Sequence, residues 1–168
     1  MIYYRVGDLL EQDDINVILQ VNNIFHAFGA GIALAIKNKY PEAYNADLDT
    51  IKGDRVKIGT FSWAKTRDGK VICNLYAMKG LGTGQRQLDY EAFYSCLEQI
   101  RDLIKNSTKS YKIGIPYKIG CDLAGGSRAV VESMINDIFG ESDIPVIICV
   151  LPKFQREINW INVNVETE

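Results

Sequence analysis

Short hydrophobic runs alternate with helical patterns along most of the chain. Residues 16–21 (NVILQV) are almost continuously apolar, which is typical of a strand covered on both faces. Runs of similar length predict further strands over residues 1–6, 56–63, 70–76, 112–116 and 145–151. Apolar positions spaced three or four apart predict helices over residues 32–39, 90–106 and 128–139. This alternation predicts a layered α/β fold around a mainly parallel sheet.

Turn and capping residues indicate where these elements begin and end. Asp68-Gly69 suits the positive φ angles of a tight turn, so the strands on either side of it are expected to form an antiparallel hairpin. Asp89 and Ser127 precede two of the helices and are expected to cap them. The first helix should stop before Pro41, because the residue before a proline disfavours helical geometry. The tail is expected to add an edge strand over residues 160–165.

Length and composition fit a folded domain and disfavour several classes of protein. The 168 residues predict one domain, 1–168, at roughly 150 residues per domain. The chain is 47% hydrophobic and 24% charged, which excludes a disordered or collagen-like protein. The net charge of −2 lacks the basic excess that nucleic-acid binding requires. With no apolar run of ~20 residues and no signal-peptide pattern, a cytoplasmic protein without a membrane span is expected.

The four cysteines and the single histidine form no metal-binding pattern. The cysteines are far apart in the sequence and include no Cys-x-x-Cys pair, so no metal site is predicted. Cys73, Cys96 and Cys149 lie in apolar runs and are interpreted as small core residues. No cofactor is predicted either.

Glycines concentrate in three loops, each between a predicted strand and a predicted helix. The loop glycines are Gly29, Gly31, Gly80, Gly82, Gly84, Gly120, Gly125 and Gly126. In open α/β sheets such loops form the ligand crevice, and the free N–H groups of a helix start favour phosphate. The helix starts after Gly31 and Gly126 could therefore share one pyrophosphate. The alternative is that these glycines serve turns and tight helix–sheet packing.

Two common nucleotide-binding motifs are absent from the sequence. No G-x-x-x-x-G-K-[ST] motif is present, which disfavours a Walker-type nucleotide triphosphatase. Gly29-Ala30-Gly31 lacks the third glycine of G-x-G-x-x-G, because Leu34 stands in its place. A Rossmann-like dinucleotide oxidoreductase is therefore a disfavoured alternative.

Four segments together resemble the macrodomain family, in a bacterial and phage branch. They are Gly7-Asp8-Leu9; Val21-Asn22-Asn23 with Phe28-Gly29-Ala30-Gly31-Ile32-Ala33; Cys73-Asn74-Leu75-Tyr76-Ala77 with Asp89-Tyr90-Glu91-Ala92-Phe93; and residues 115–126 (IPYKIGCDLAGG). The resemblance runs from about residue 5 to residue 151. It implies a three-layer α/β/α sandwich with a mixed, mostly parallel sheet, and a small-molecule partner, ADP-ribose or an ADP-ribosylated substrate.

The resemblance also implies which residues bind ADP-ribose. Asp8 would accept a hydrogen bond from the adenine amino group with Leu9 beside it, and Asn23 would bind the distal ribose. The remaining implied contacts are Gly29, Ala30, Gly31 and Ile32 at the ribose and diphosphate, and Ile119, Gly120, Cys121, Asp122 and Leu123 around the diphosphate through their N–H groups. Phe154 is the nearest candidate for an aromatic ring stacked on adenine.

Catalysis is a separate question, because the sequence departs from two catalytic patterns of the family. Met78 or Lys79 falls near the place of a catalytic lysine, and Ala124 takes the place of an aspartate. Phe28, rather than a histidine, precedes the glycine segment. Neither of these two mechanisms transfers directly.

His26 and Asp122 are the candidate catalytic residues. His26 could act as a general acid–base, and Asp122 could orient an attacking water at the distal ribose. The alternatives are a packed or solvated loop histidine and an aspartate that caps its own loop. A hydrolase acting on ADP-ribose 1''-phosphate or on a terminal ADP-ribosyl ester is expected, with a non-catalytic ADP-ribose reader as the alternative.

Other residues near the loops are given structural interpretations. Cys121 is interpreted as loop packing rather than a nucleophile, since the sequence offers it no base. Lys79, Arg86 and Lys118 flank the glycine loops, where cations could attract an anionic ligand. They are interpreted as solvated side chains, of which at most one touches phosphate. The sequence does not predict an oligomeric state.

Overall fold

The computed structural model describes residues 1–82 and 84–166, and a six-stranded sheet forms its centre. The strands are β1 (Ile2–Val6), β2 (Val17–Asn22), β3 (Phe61–Lys65), β4 (Val71–Tyr76), β5 (Ile113–Pro116) and β6 (Val146–Val150). Their spatial order is β1-β6-β5-β2-β4-β3. All neighbours are parallel except β3 and β4, which are antiparallel. The predicted mixed, mostly parallel sheet is confirmed.

Two pairs of helices cover the two faces of this sheet. The helices are α1 (Gly31–Lys39), α2 (Pro41–Leu48), α3 (Tyr90–Lys105) and α4 (Arg128–Phe139). Short 3-10 turns lie at Leu9–Glu11, Arg55–Lys57 and Pro152–Glu157. On one face Leu19 and Leu75 share a core with α3 and α4, and on the other Ile18 and Ile72 share a core with α1 and α2. The predicted α/β/α sandwich is confirmed. In the described part of the chain, no helix combines the length and apolarity needed to cross a membrane.

Continuous apolar runs explain why the central strands were predictable. Alternate side chains of a strand point to opposite faces, so a strand between two helical layers buries both sets. All five residues of β6 are buried, as are five of the six residues of β2. Full burial of each large aliphatic side chain contributes roughly 1.5–3 kcal/mol. Cys73, Cys96 and Cys149 are buried in these cores as predicted, and burial raises the pKa of each thiol to about 12.

The prediction for helix α1 is confirmed at its end, but the helix that follows was missed. α1 stops at Lys39, and Tyr40 has left helical geometry with φ −129° and ψ 73°. Pro41 then occupies the first turn of α2, where its fixed φ is suitable and its missing N–H is not needed. α2 escaped prediction because it has a weak apolar face, with only Ala43 and Asp47 buried.

Two predicted strands require correction. The strand predicted over residues 56–63 begins only at Phe61, because Asp54 caps a 3-10 turn over Arg55–Lys57 through the Val56 amide. The hairpin itself is confirmed, with Gly69 at φ +87°. The edge strand predicted over residues 160–165 is wrong, since the described tail contributes only an isolated bridge between Tyr4 and Val165.

A turn replaces that predicted edge strand. The side chain of Asn159 accepts a hydrogen bond from the Ile161 amide, and its carbonyl accepts one from the Asn162 amide. Asparagine commonly closes turns in this way. These bonds bend the tail where the apolar pattern predicted an extended segment.

The two predicted helix caps have different outcomes. Asp89 accepts a hydrogen bond from the Ala92 amide at 3.1 Å and caps α3 as predicted. Ser127 stands at the cap position of α4, but its side chain makes no capping bond. Instead, the Ser127 amide donates to the hydroxyl of Tyr90 at 2.9 Å.

Candidate functional site

The glycine loops leave the sheet at one edge. β5 and β4 lie on either side of β2 in the sheet, and all three strands run parallel. The carboxyl ends of parallel neighbours therefore lie together, and the loops that follow them form one rim. The β2–α1 loop and the β5–α4 loop, which contain Gly31 and Gly120, consequently emerge side by side. β1, which precedes Asp8, ends at this same edge.

Asn23 fixes the shape of the β2–α1 loop from within. Its side-chain oxygen accepts from the amides of Phe25 and Ala27 at 2.8 and 3.2 Å, and its Nδ2 donates to the Ala27 carbonyl at 2.8 Å. An asparagine side chain carries two N–H donors, so one of them makes no bond to a described residue. The predicted ribose contact of Asn23 therefore depends on a single remaining N–H group.

His26 is held in this loop by a buried carboxylate that the sequence analysis did not identify. Its Nδ1 lies 2.7 Å from Oδ2 of Asp47, whose side chain on α2 is completely buried. The hydroxyl of Tyr76 donates to the other oxygen of Asp47, also at 2.7 Å. His26 itself adopts a left-handed φ of +60°. The histidine is thus neither solvated nor simply packed, because a specific partner orients its ring.

The Asp47 site continues inward as a chain of buried polar side chains. Tyr76 contacts the Ser62 hydroxyl at 2.7 Å, Asn74 donates to Ser62 at 3.0 Å, and Gln20 donates to Asn74 at 2.8 Å. Beside this chain, Asn22 is 2% exposed and neither polar atom of its side chain has a partner in the described residues. The second half of β2 and the facing part of β4 therefore carry buried polar side chains.

The start of α1 presents open backbone. No atom lies within 4 Å of the space that a Cβ would occupy on Gly29 or on Gly31, and Gly31 has φ +56°. The amides of Gly31, Ile32 and Ala33 form the first turn, where an N–H group has no helical carbonyl to bind. Ala30 is exposed and Ile32 is half-buried. This helix start can accept an anion without rearrangement.

Some backbone amides of the β5–α4 loop donate hydrogen bonds within the loop, and others have no partner among the described residues. The amides of Ile119 and Cys121 donate to the carbonyls of Pro116 and Lys118 within the loop. Those of Gly120, Asp122 and Leu123 bind no residue that the structure describes. Three of the five predicted phosphate donors are therefore available. The start of α4 is less open than predicted, because Tyr90 occupies the Ser127 amide.

Asp122 and Cys121 sit differently in this loop. Asp122 is exposed, and its carboxylate makes no bond or ion pair with any described residue, so it does not cap its own loop. The Cys121 thiol donates to the Ile119 carbonyl at 3.3 Å. Burial, together with the nearby negative charge of Glu132, raises the pKa of this thiol to about 11. A protonated, bonded thiol fits loop packing rather than nucleophilic chemistry.

The loop between β4 and α3 is joined to the β5–α4 loop. The amides of Gln87 and Leu88 both donate to the Ala124 carbonyl, at 2.9 and 3.0 Å. A Cβ on Gly126 would lie 2.5 Å from the Leu88 side chain, so this contact requires glycine. Of the predicted residues 79–87, Thr83 lies outside the described residues. The two loops form one wall of the rim.

Two of the three flanking cations already have partners. Arg86 stacks on the Tyr90 ring at 4.1 Å, and Lys118 pairs with Glu157 at 3.0 Å. Lys79 is exposed and forms no ion pair with the described residues. Of these three cations, only Lys118 is neutralised by an ion pair with a described residue, while Arg86 is held against an aromatic ring.

At the other end of the rim, one carboxylate oxygen of Asp8 accepts a backbone hydrogen bond and the other has no partner among the described residues. Its Oδ1 accepts from the Leu10 amide at 2.9 Å and caps the Leu9–Glu11 turn, while Oδ2 binds no described residue. Asp8 is exposed, whereas the Leu9 side chain is 3% exposed and packs in the core against α1 and α2. Oδ2 can accept a hydrogen bond from a ligand.

Two aromatic residues that follow β6, Phe154 and Trp160, are both half-buried. Phe154 packs on Tyr117 with ring centroids 5.9 Å apart, and the Lys118 ammonium lies 4.6 Å from its ring. Trp160, which sequence analysis did not single out, lines a cavity of about 440 Å³ beside the end of β1. Arg5, Val6, Gln155, Val165 and Glu166 complete that lining. A second cavity, beneath the β5–α4 loop, measures about 10 Å³ and has room for at most one water.

Neither of these two cavities extends from Gly31 to Gly120. The common rim of the two glycine loops is inferred instead from the parallel strands that precede them, because these strands end at the same edge of the sheet. Within residues 1–82 and 84–166, no three His, Cys, Asp or Glu side chains converge as they would around a metal ion. The chemistry of the rim therefore comes from amides, Asp8, Asp122 and the His26–Asp47 pair.

Comparison with known proteins identifies the fold. The sequence matches no protein-family model and no curated protein. Among solved structures, the macrodomain of Mycobacterium tuberculosis DarG superposes with a TM-score of 0.74 at 25% identity, over 90% of this chain and 98% of that one. The chain has the macrodomain fold. The resemblance predicted from the four sequence segments is confirmed.

Other structures share this macrodomain fold. A protein of unknown function from Bacteroides thetaiotaomicron superposes with a TM-score of 0.79 at 22% identity, over 90% of this chain and 98% of that one. Thermosipho africanus DarTG, solved in complex with ADP-ribose, gives a TM-score of 0.74 at 18% identity, over 96% of this chain and 44% of that one. These bacterial structures are consistent with the bacterial branch of the predicted resemblance.

Proposed function

We propose that this macrodomain binds ADP-ribose along the rim of the glycine loops and hydrolyses a derivative of it at the distal ribose. The observation that carries the binding proposal is the set of unbonded amides on two neighbouring loops. The first turn of α1 and the amides of Gly120, Asp122 and Leu123 flank one sheet edge. Amides aimed in advance at one point hold a diphosphate without a cation. The ADP-ribose complex of the Thermosipho africanus relative supports this ligand.

The proposed contacts to the adenine and to the distal ribose use polar atoms that have no partner among the described residues. Asp8 Oδ2 accepts from the adenine amino group, and the spare N–H of Asn23 donates to a hydroxyl of the distal ribose. Gly29 and Ala30 offer open backbone to that ribose, with Ile32 behind them. Cys121 and Ile119 shape the phosphate loop rather than donate, since their own amides are committed.

The proposed reaction is hydrolysis with His26 as the general acid–base and Asp122 orienting the water. With ADP-ribose 1''-phosphate, the water oxygen bonds to phosphorus while the bond from phosphorus to the ribose oxygen breaks. His26 takes a proton from the water and returns it to the leaving ribose oxygen, which yields ADP-ribose and inorganic phosphate. With a terminal ADP-ribosyl ester, one water likewise yields ADP-ribose and a carboxylic acid. General acid–base catalysis of this kind contributes about 10²–10⁴-fold to the rate.

Calorimetry with ADP-ribose, followed by assays of phosphate and ADP-ribose release, tests both parts of the proposal. The matched variant is His26→Asn, because asparagine tolerates a left-handed φ and can still bond to Asp47. We expect this variant to bind ADP-ribose like the wild type and to lose at least about 10²-fold in turnover. Wild-type protein that does not bind ADP-ribose would refute the whole proposal, and binding without turnover of either substrate would refute the hydrolase.

The second candidate function is a non-catalytic ADP-ribose reader. Its support is that Asp47 also explains His26 structurally, as a residue that locks a loop at φ +60°. In that case His26→Asn changes neither affinity nor any turnover, and only substitutions such as Asp8→Asn weaken binding.

A further inference from the structure

We infer that Asp47 is a positioning residue that keeps the His26 imidazole protonated on Nδ1 and bare on Nε2, the form that a general base requires. The inference deepens the proposed hydrolysis and rests on it for its kinetic consequence. Its structural part concerns one proton and can be measured without any substrate. The following contacts determine where that proton lies.

The burial of Asp47 makes both of its hydrogen bonds necessary. The side chain has no exposed surface, and an unpaired charge in such a place is strongly unfavourable. One oxygen faces His26 Nδ1 and the other faces the Tyr76 hydroxyl, each at 2.7 Å. An ionised carboxylate can only accept, so both neighbours must donate to it.

The buried chain beyond Tyr76 is consistent with this proton order. Because Tyr76 gives its proton to Asp47, its oxygen is left to accept from the Ser62 hydroxyl. Ser62 in turn accepts from the Asn74 side chain, which accepts from Gln20. Every donor in the chain points towards Asp47. Burial raises the pKa of Tyr76 to about 12, so its hydroxyl keeps the proton throughout the neutral range.

Lys57 supplies positive charge on the same side of Asp47. Its ammonium lies 4.8 Å from the Tyr76 ring centroid and donates to the Thr50 hydroxyl and the Ile24 carbonyl at 2.9 and 3.3 Å. The charge of Lys57 interacts favourably with the Asp47 carboxylate without an ion pair between them, which lessens the need for a charged His26. Neutral His26 with its proton on Nδ1 has Nε2 as an acceptor.

The backbone on both sides of the pair is also fixed. Thr50 donates to the Asp47 carbonyl at 2.6 Å, and the Gly53 amide donates to the Ile24 carbonyl at 2.7 Å. With Asn23 bracing the loop from the other side, His26 and Asp47 cannot separate without breaking several bonds. His26 Nε2 binds no described residue, which leaves it for a ligand or water.

Nitrogen NMR of the imidazole tests the inference directly, because His26 is the only histidine in the chain. In the neutral ring of wild-type protein, we expect Nδ1 to show the shift of a protonated nitrogen and Nε2 that of a bare one. In Asp47→Asn, Tyr76 can still donate to the amide oxygen, so the amide NH₂ faces His26 and donates to Nδ1. The two nitrogen signals should therefore exchange roles.

The kinetic arm uses ADP-ribose 1''-phosphate as substrate. Asp47→Asn should lower kcat by about 10²-fold or more while the Kd for ADP-ribose stays within about twofold, because the wrong nitrogen then carries the proton. Asp49→Asn is the matched control, since Asp49 lies exposed at the end of the same helix. Tyr76→Phe removes one donor to Asp47 but leaves the other, and should keep the wild-type tautomer.

The outcomes separate this inference from the proposed function. A bare Nδ1 in neutral wild-type His26 overturns the positioning role and needs no variant to fold. An Asp47→Asn protein with unchanged tautomer and unchanged kcat overturns it as well. The expected spectrum in a wild-type protein that turns over no substrate refutes the proposed hydrolysis, and with it the catalytic use of the pair.

Discussion

Asp8 has two carboxylate oxygens with different uses, and one substitution can separate them. Asparagine caps helices about as well as aspartate, so Asp8→Asn keeps the bond from the Leu10 amide. It replaces Oδ2 with an NH₂ group, which cannot accept from the adenine amino group. We expect the Kd for ADP-ribose to rise by a factor equivalent to about 1–3 kcal/mol. Calorimetry measures the affinity, and urea unfolding should show unchanged stability.

The control for Asp8 is a ligand that lacks the adenine amino group. A purine-riboside analogue of ADP-ribose, which carries hydrogen in place of the amino group, should bind wild-type and Asp8→Asn protein with similar affinity, because neither can form the deleted bond. Equal affinities of the two proteins for ADP-ribose itself would refute the assigned contact.

Gly29 and Gly126 distinguish ligand space from packing space. A Cβ on Gly29 meets no atom within 4 Å and the residue lacks a positive φ, so Gly29→Ala should leave the free energy of unfolding within about 0.5 kcal/mol. Its methyl group projects into the space proposed for the ribose, and ADP-ribose affinity should fall. Gly126→Ala would place a Cβ 2.7 Å from the Gly120 carbonyl, and overpacking of this kind costs about 1–3 kcal/mol of stability.

Urea unfolding and calorimetry on both glycine variants decide the point. If Gly29→Ala binds ADP-ribose as tightly as the wild type, the ribose does not lie against that backbone. A Gly126→Ala protein as stable as the wild type would contradict the tight contact between the two loops.

At the scale of whole elements, the two helix caps allow a matched comparison. Asp89 bonds to the Ala92 amide at the start of α3, whereas the Ser127 side chain makes no capping bond at the start of α4. Asp89→Ala should therefore lower the free energy of unfolding by about 0.5–2 kcal/mol. Ser127→Ala should lower it by less than about 0.5 kcal/mol. Equal losses in urea unfolding would contradict the difference between the caps.

The elements predicted correctly are those in which local pattern and burial coincide. β2 and β6 are buried along nearly their whole length, so their apolar runs could be detected without knowledge of their neighbours. α3 shows apolar residues at helical spacing and a capping aspartate, both of which are local signals. α2 gives neither signal, because its eight residues bury an aspartate rather than an apolar stripe.

The candidate site was predictable only in part, for the same reason. The free backbone amides could be predicted, because glycines and helix starts are visible in the sequence. Asp8 could be predicted because it comes directly after a strand. The partner of His26 is 21 residues away on the missed helix α2, and Tyr76 lies 29 residues beyond that partner. No local pattern connects such positions. The loss of two phosphate donors to internal turns likewise depends on loop geometry that composition does not specify.

At the scale of the whole molecule, a charged cluster ties the described tail to the first strand and the sheet. Arg5 on β1 makes two bonds to the Asp14 carboxylate, each 2.7 Å, and Lys112 lies 3.0 Å from Asp14. Glu166 pairs with the same two cations, and the Tyr4 amide donates to the Asn164 carbonyl at 2.8 Å. This cluster anchors the described tail beyond the turn that replaces the predicted edge strand.

Asp14 makes the stability of the whole molecule depend on pH in a defined direction. Its hydrogen bonds to Arg5 and then to Lys112 hold the pKa of the carboxyl well below its usual value of 3.8, against the opposing effect of burial. A carboxyl with a lowered folded pKa stabilises the folded state above its unfolded pKa, and this contribution is lost as the pH falls below about 4. Because Asp14 is 43% exposed, screening limits the contribution to about 1 kcal/mol or less.

The pH dependence of Asp14→Asn tests this whole-molecule linkage. Urea unfolding should show the variant to be less stable than wild type at pH 7. The difference should shrink at pH 3, because the Asp14 carboxyl of the unfolded wild-type chain then takes up a proton while the folded one stays ionised. Asp13→Asn is the control, since this neighbouring exposed aspartate forms no ion pair with the described residues and should show no such trend. A stability difference for Asp14→Asn that stays constant or grows towards pH 3 would mean that the Arg5 cluster does not hold the ionised carboxylate in the folded state.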